Sequence, residues 1–465
     1  MRETTNALRI MDRADITALL RDEQARYVNV GLVDLQGQLR VKMISAERFM
    51  SVLDGGLGWV PLIQMLDFND AGQIPKELED PRCGFGDSIC RVDTQDVRRL
   101  PWEATDSRLF FFVEFEDDVA GAGYDCRRVY KRILGRACAL GLQPRQGLEY
   151  EFRLFRESAR SAREKGYRNL ELLNESPCLQ SLQEQATHAE LLAGMREVMH
   201  ELDVPINMLH WEHGAGFGEI SLDAIQGTKA PNDGVLFKTY AKAYAKRENL
   251  LLSFMARYSA EADGSSNHIH LSLSDRTGRE LFFDPEDEHG MSEKMRHFVG
   301  GLQRLLPELF LMLAPNINSF KRFVPGIFAP LSANWGIENR TCAIRVLGTS
   351  AASKRLECRV PGADANPYLS LACVLGAGLW GIEHEIEPGP PVHGNSYAQA
   401  GGGSQSERFP VSFRDAIDRF RGSDIAKRLF GDEFVKYFSG FRDHQEREFA
   451  RMVSDLEIER FLERA

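Results

Sequence analysis

Glu149 and Glu151 stand one residue apart in the apolar run GLEYEFRLF, the spacing that puts both carboxylates on one face of a strand. The same spacing recurs in SSNHIHLSL, which aligns His268, His270 and Ser272, and in RLECRVP, which aligns Arg355, Glu357 and Arg359. HWEHGAGFGEISL adds Glu212 and Glu219 on either side of a glycine-containing bend. A lone histidine on an apolar strand is ordinarily a satisfied core residue, and paired carboxylates ordinarily face solvent. The combination is different, because a buried carboxylate without a partner is costly. Glu149, Glu151, Glu212, Glu219 and Glu357 converging with an imidazole on one sheet face imply bound cations. Oxygen ligands with a minority of nitrogen suit Mg2+ or Mn2+ better than zinc.

Arginines gather nearby. NINSFKRFVPGIFAPLSANWGIENRTCAIRV carries Lys321, Arg322, Arg340 and Arg345 among apolar residues, shortly before Arg355 and Arg359. Two divalent ions with several arginines make a site for polyphosphate, where charge neutralisation and in-line positioning supply the catalysis.

The elements that must hold these residues read as α+β. A helix is expected near Ala14–Tyr27, then two β-rich runs joined across Gln36-Gly37 as a hairpin, and an apolar run at 108–115. A helix begins near Asp125, with Tyr130, Ile133, Leu134, Ala137 and Cys138 at helical spacing and Gly141 past its end. Short β-type and helical runs then alternate to about residue 375. Residues 387–410 form a Gly/Pro/Ser-rich loop, and the tail from Asp415 is helical.

At 465 residues the chain has room for two or three domains, and its net charge of −11 argues against nucleic-acid binding. No run is long and apolar enough to span a membrane. MRETTNALRIMDRADITALL lacks the apolar core and cleavage site of a secretory leader, so a cytoplasmic location is expected. The eight cysteines form no CxxC pair and read as reduced thiols.

GLEYEFRLF, HWEHGAGFGEI, SSNHIHLSL, NSFKRFVPG, ENRTCAIRV and RLECRVPGADANPYLSLA, in this order, resemble the motifs of the glutamine synthetase family, and the resemblance covers nearly the whole chain. It implies a β-grasp-like domain over residues 1–118 and a catalytic domain over 119–465, an antiparallel sheet forming a half-barrel funnel among helices. It further implies ATP-dependent ligation of glutamate to an amine through γ-glutamyl phosphate, in a dodecamer of two hexameric rings whose subunits share active sites. By this resemblance Glu151, Glu212 and Glu219 hold one metal ion, and Glu149, His268 and Glu357 a second that bridges the ATP phosphates. Arg322, Arg359 and Gly264 would seat glutamate. Arg340, Arg345 and Arg355 would contact phosphate, with Arg340, Arg322 and Arg359 acting in catalysis, and His270 and Ser272 would lie on the nucleotide side.

The chain also departs from the family. Asp263 stands where asparagine is usual, and Phe217 where glutamine is usual. In PGIFAP, Phe328 replaces a glutamate that helps hold and deprotonate ammonium, and around Gly58-Trp59-Val60 the family offers an aspartate for the same purpose. A phenyl ring accepts no proton and brings no charge to NH4+. Glutamate activation is thus expected to be intact and ammonium capture lost, the pattern of a γ-glutamyl-amine ligase. Trp59, Phe217 and Phe328 would enclose an organic amine, leaning toward a monoamine or arylamine unless Asp67 and Asp70 serve a polyamine. The alternatives are an ammonia-using glutamine synthetase and a catalytically silent binding or regulatory protein on the same scaffold.

Overall fold

The computed structural model of the chain describes residues 10–72, 85–399 and 407–465; Cys83 and part of the Gly/Pro/Ser-rich segment lie outside the described residues. A first sheet is built from β1 (Tyr27–Val33), β2 (Leu39–Ser45), β3 (Leu57–Trp59), β4 (Ser88–Arg99) and β5 (Leu109–Phe115), in the order β2-β1-β5-β4-β3. The expected hairpin joins β1 and β2, with Gly37 at φ +77° in its turn, whereas β1 and β5 run parallel. Helices Arg13–Asp22 and Ala46–Gly55 cover this sheet through Ile16, Leu20, Phe49 and Val52. The first helix stops short of the expected Tyr27, because the backbone turns to positive φ at Gln24 and Tyr27 already opens β1.

The apolar run of β5 serves two cores. Leu109, Phe111, Val113 and Phe115 enter the core under the first sheet, while Phe110 and Phe112 enter the larger core beside it. A strand buried on both faces has no reason to alternate apolar with polar residues.

The second sheet comprises β6 (Leu142–Phe155), β7 (Ile206–Trp211), β8 (Phe217–Leu222), β9 (Ile225–Gln226), β10 (Leu251–Ser253), β11 (Asn267–Asp275), β12 (Trp335–Ile337), β13 (Ile344–Leu347) and β14 (Arg355–Cys358). Its order is β12-β13-β14-β11-β6-β8-β7, with β9 and β10 also pairing with β6. Every pair is antiparallel except β12–β13 at the edge, so the sheet is mixed rather than wholly antiparallel as expected. Residues 338–343 carry the chain from β12 into β13 in the same direction.

The helices behind this sheet follow from their ends and their apolar stripes. Cys126–Ala139 starts where Asp125 accepts hydrogen bonds from the backbone N–H groups of Arg127 and Arg128. Pro367–Glu383 opens on proline after the capping Asn366, and is apolar all round and buried along nearly its whole length. Tyr150, Phe152 and Leu154 of β6 and Ile269 and Leu271 of β11 point into this helical core. Alternation therefore sends Glu149, Glu151, His268 and His270 to the other face.

A buried polar seam joins β4 to the helices. Arg98 donates to Asp96, to Asp233 at 2.7 Å, and to the carbonyls of Leu202 and Asp203. Arg127 donates to Asp93, Asn232 and the Tyr368 hydroxyl, and its guanidinium lies over Phe112. Burial pushes the Asp233 carboxyl up to about 6 even beside Arg98. Removing one partner of such a network strands the charges it leaves behind. Arg98→Ala, which leaves Asp96 and Asp233 facing each other, is expected to cost about 3–5 kcal/mol. A fall in Tm checks this; an unchanged Tm would show that the seam contributes nothing to stability.

Candidate active site

Register brings the sequence motifs together. His268 of β11 lies directly opposite Glu149 of β6, Glu219 of β8 opposite Glu151, and Glu357 of β14 opposite both His270 of β11 and Arg345 of β13. His210 of β7 lies opposite Glu219. One sheet face thus carries a continuous row of carboxylates, imidazoles and guanidinium groups.

Among the described residues, three groups of side chains have ligand atoms within 4.8 Å of one another: Glu149, His268 and Glu357; Glu151, Glu219 and His268; His210, Glu212 and Glu219. The first is the trio expected for one metal ion. The second and third divide the other expected trio between them, with Glu219 in both, and His268 belongs to the first and second groups. His210 was not anticipated, although it sits two residues before Glu212 in HWEHG, the same spacing that marked the other motifs. Its Nε2 lies 2.9 Å from Glu219 and its Nδ1 3.4 Å from Glu212.

The charges here depend on one another. His268 Nδ1 is 2.9 Å from Glu149 and 3.5 Å from Glu357, and His270 Nε2 is 3.6 Å from Glu149. Burial opposes ionisation of Glu149, yet hydrogen bonds from His268 and His270 hold its carboxyl well below the usual range. Burial likewise works against Glu357, but the Arg359 charge, followed by His268 and His270, holds it down to about 2. Glu219 goes the other way. Burial pushes it up to about 7 in spite of His210, with Glu149 and Glu151 adding repulsion. A buried, oxygen-rich cluster in which burial, with repulsion from neighbouring acids, raises one carboxyl fits the donor set of a hard divalent cation.

The arginines border this row. Arg345 donates to Glu357 at 3.0 Å and to Glu338 at 2.7 Å, and Arg359 donates to Glu357. Arg355 Nε lies 3.3 Å from His270 Nδ1, and Ser272 follows on the same face, half-buried. Arg322 is buried, donating to the Ser266 hydroxyl and the Val360 carbonyl, and burial lowers its pKa to about 10. A Cβ on Gly264 would come within 2.3 Å of Arg322 Cγ and 2.9 Å of the Ala256 carbonyl, so only glycine lets these segments approach this closely. The Nε atoms of Arg322, Arg345 and Arg359 are buried without hydrogen-bond partners, which suits an anionic ligand. Arg340 stands apart, exposed on the turn after β12.

The three expected amine-pocket residues occupy different surroundings. Trp59 is 2% exposed in the first sheet, with Lys42 Nζ 4.4 Å from its ring centre. Phe217 is 3% exposed beneath the Arg153 guanidinium. Phe328 is 60% exposed, at φ +56° on a loop that Tyr397 tethers through a hydrogen bond to the Ala329 carbonyl. Only Phe328 turns its ring to solvent. Asp67 accepts from the N–H groups of Asn69 and Ala71, and Asp70 accepts from Arg40, so both acids are engaged within the first sheet and its loop.

Residues 123–461 match the family described as glutamine synthetase, catalytic domain. The chain belongs to the glutamine synthetase family. It is 33% identical to gamma-glutamylethanolamide synthetase GlnA4 of Streptomyces coelicolor, over 98% of each chain. It is 32% identical to type-1 glutamine synthetase 2 of Dictyostelium discoideum, over 96% of this chain and 85% of that one. A third relative, the glutamate–isopropylamine ligase of a Pseudomonas species, is 28% identical over 94% and 95% of the two chains. The solved structure of apo GmaS superposes with a TM-score of 0.83 at 23% identity, covering 97% of this chain and 99% of that one, and shares its fold: a mixed-sheet half-barrel surrounded by helices.

Glu219→Gln removes one carboxylate from a crowded set. It is expected to raise the Tm of the protein in EDTA and to shrink the further rise produced by Mg2+ or Mn2+. Thermal melts with and without each cation check both effects; a cation-induced rise as large as that of the wild type would exclude Glu219 from the ligand set.

Proposed function

We propose that this chain is an ATP-dependent ligase that joins the γ-carboxyl of glutamate to an organic primary amine. A γ-carboxylate oxygen attacks the γ-phosphorus of ATP and displaces ADP; the amine nitrogen then attacks the acyl carbon of γ-glutamyl phosphate, loses a proton and expels phosphate. Mg2+ or Mn2+, held by Glu151, Glu212 and Glu219 and by Glu149, His268 and Glu357, would neutralise the phosphate and carboxylate charges. Arg322, Arg359 and the Gly264 backbone seat glutamate, and Arg345 and Arg355 face the phosphates, with His270 and Ser272 toward the nucleotide; Arg340, exposed on the turn after β12, would have to swing in to reach them.

The observation that carries this reading is Phe328. Its exposed ring, on a tethered loop, replaces the acid that the resemblance expects there, while the carboxylate and arginine rows remain filled. The likeness to ligases named for ethanolamide and isopropylamine products or substrates supports the same choice. An apolar amine body against Phe328 would gain roughly 25 cal/mol per Å2 covered, a gain that ammonia lacks the surface to collect. Two stacked six-membered rings in the cytoplasm are the expected working form. Such an assembly would cover the apolar side chains left exposed near the C-terminus, among them Met452, Val453, Leu456, Phe461 and Leu462.

Phosphate release from ATP, with glutamate, Mg2+ and a panel of amines, tests the reading. Stimulation by an organic amine is expected; stimulation by ammonia alone would assign the chain to ammonia chemistry, and none at all to a silent scaffold. Phe328→Glu is expected to raise kcat/KM for ammonium and lower it for the organic amine. If acceptor preference does not move, the loop does not set it.

A further inference from the structure

The row that begins with Glu149 and Glu151 does not end there. Arg153 is the next residue on the same face of β6, and it is a buried cation without a carboxylate partner within ion-pair distance among the described residues. Its guanidinium stacks on the ring of its cross-strand neighbour Phe217, 3.5 Å from the ring centre, with the Tyr258 ring 5.5 Å away. Nη1 donates to the Ala215 carbonyl and Nη2 to the Asp263 carbonyl, each at 3.0 Å. Its Nε is buried without a partner.

Those two carbonyls belong to different loops. Ala215 lies in the loop between β7 and β8, which starts at Glu212; Asp263 lies between β10 and β11, immediately before Gly264. A second bridge joins the same loops at the surface, where His213 Nδ1 is 2.8 Å from Asp263 Oδ2. The loop that supplies Glu212 is thereby fixed against the loop whose Gly264 closes on Arg322. A buried cation held only by carbonyls and aromatic faces does little for stability, since an apolar residue of similar size is commonly as good or better there. Its planar fork, however, fixes two loops with a precision that an apolar side chain cannot supply.

We propose that Arg153 is a positioning residue for glutamate: by clamping Ala215 to Asp263 over the Phe217 ring, it sets the distance between the Glu212 side and the Gly264–Arg322 side of the glutamate seat. In this role it acts through the two loops, not by contact with substrate or metal. The inference rests on the reading of this cleft as a glutamate site and names a residue on which that site depends.

The test compares Arg153→Met, Arg153→Lys and Phe217→Leu with the wild type in the full chain. L-Glutamate binding is measured by calorimetry in Mg2+ and ADP, with no amine present, alongside Tm and steady-state kinetics. Arg153→Met is expected to keep the wild-type Tm or exceed it, to raise Kd and KM for glutamate about tenfold, and to leave kcat within about twofold. Arg153→Lys keeps the charge but cannot span both carbonyls, so it should not restore affinity. Phe217→Leu, which removes the stack alone, should weaken glutamate binding about threefold and, combined with Arg153→Met, add nothing further. Unchanged glutamate affinity in a folded Arg153→Met protein, or full rescue by lysine, would overturn the clamp. If Arg153→Met fails to fold, unchanged affinity in Phe217→Leu overturns it equally. Failure of the wild type itself to bind glutamate would overturn the proposed function instead, and is read before any variant.

Discussion

Negative charge held close together and out of water is the constraint around which the catalytic half is arranged. Glu149, Glu151, Glu219 and Glu357 share one face of a sheet whose other face is hydrocarbon. Water cannot solvate all four, so each needs protein cations, protons or metal ions. The two ends solve this differently. Around Glu357 and Glu149, arginine and imidazole supply the compensation, and both acids are held in the ionised range. Around Glu219 burial and the nearby Glu149 and Glu151 outweigh His210, and the carboxyl is raised to about 7.

The same sheet divides the chemistry. The side that would activate a carboxylate is assembled from strands, whose pairing fixes the side chains relative to one another. The side that would admit the second substrate rests on a loop, the tethered one bearing Phe328. Loops vary without disturbing the sheet. On the proposed reading, the strands keep the machinery for phosphate and glutamate while a loop residue, Phe328, sets the acceptor.

Much of this was legible because a strand's period of two is strict. Once Glu149 and Glu151 are placed on a strand, their common face follows; the register that sets His268 opposite Glu149, Glu219 opposite Glu151 and Glu357 opposite His270 is supplied by the fold. Residues whose significance lies in long-range contact were harder to see. Arg153 belongs to the same motif and the same face, but its partners Ala215, Phe217 and Asp263 are more than sixty residues away, and nothing local marks a guanidinium as a clamp. Trp59 and Phe217 were expected to be available to a substrate, yet aromatic character says nothing about which side a ring packs on, and both are buried. The first helix ends earlier than the sequence implies because Gln24 takes a positive φ without being a glycine that would mark the turn. The parallel edge pair β12–β13 was likewise invisible, since strand direction is decided by the path of residues 338–343 and not by composition.

The buried seam also bears on how the front of the chain relates to the back. Arg98 and Asp93 of β4 meet Asp233 and Arg127 from the helices behind the second sheet, and Phe110 and Phe112 of β5 complete the core against which those helices pack. A fragment severed after residue 118 would carry Arg127 without Asp93, Asp233 without Arg98, and an apolar hollow where two phenylalanines had been. Whatever the first hundred residues contribute to binding, they are no detachable module: the back half needs them as scaffolding, and shuffling this segment between relatives would succeed only where the charges on both sides of the seam travel together.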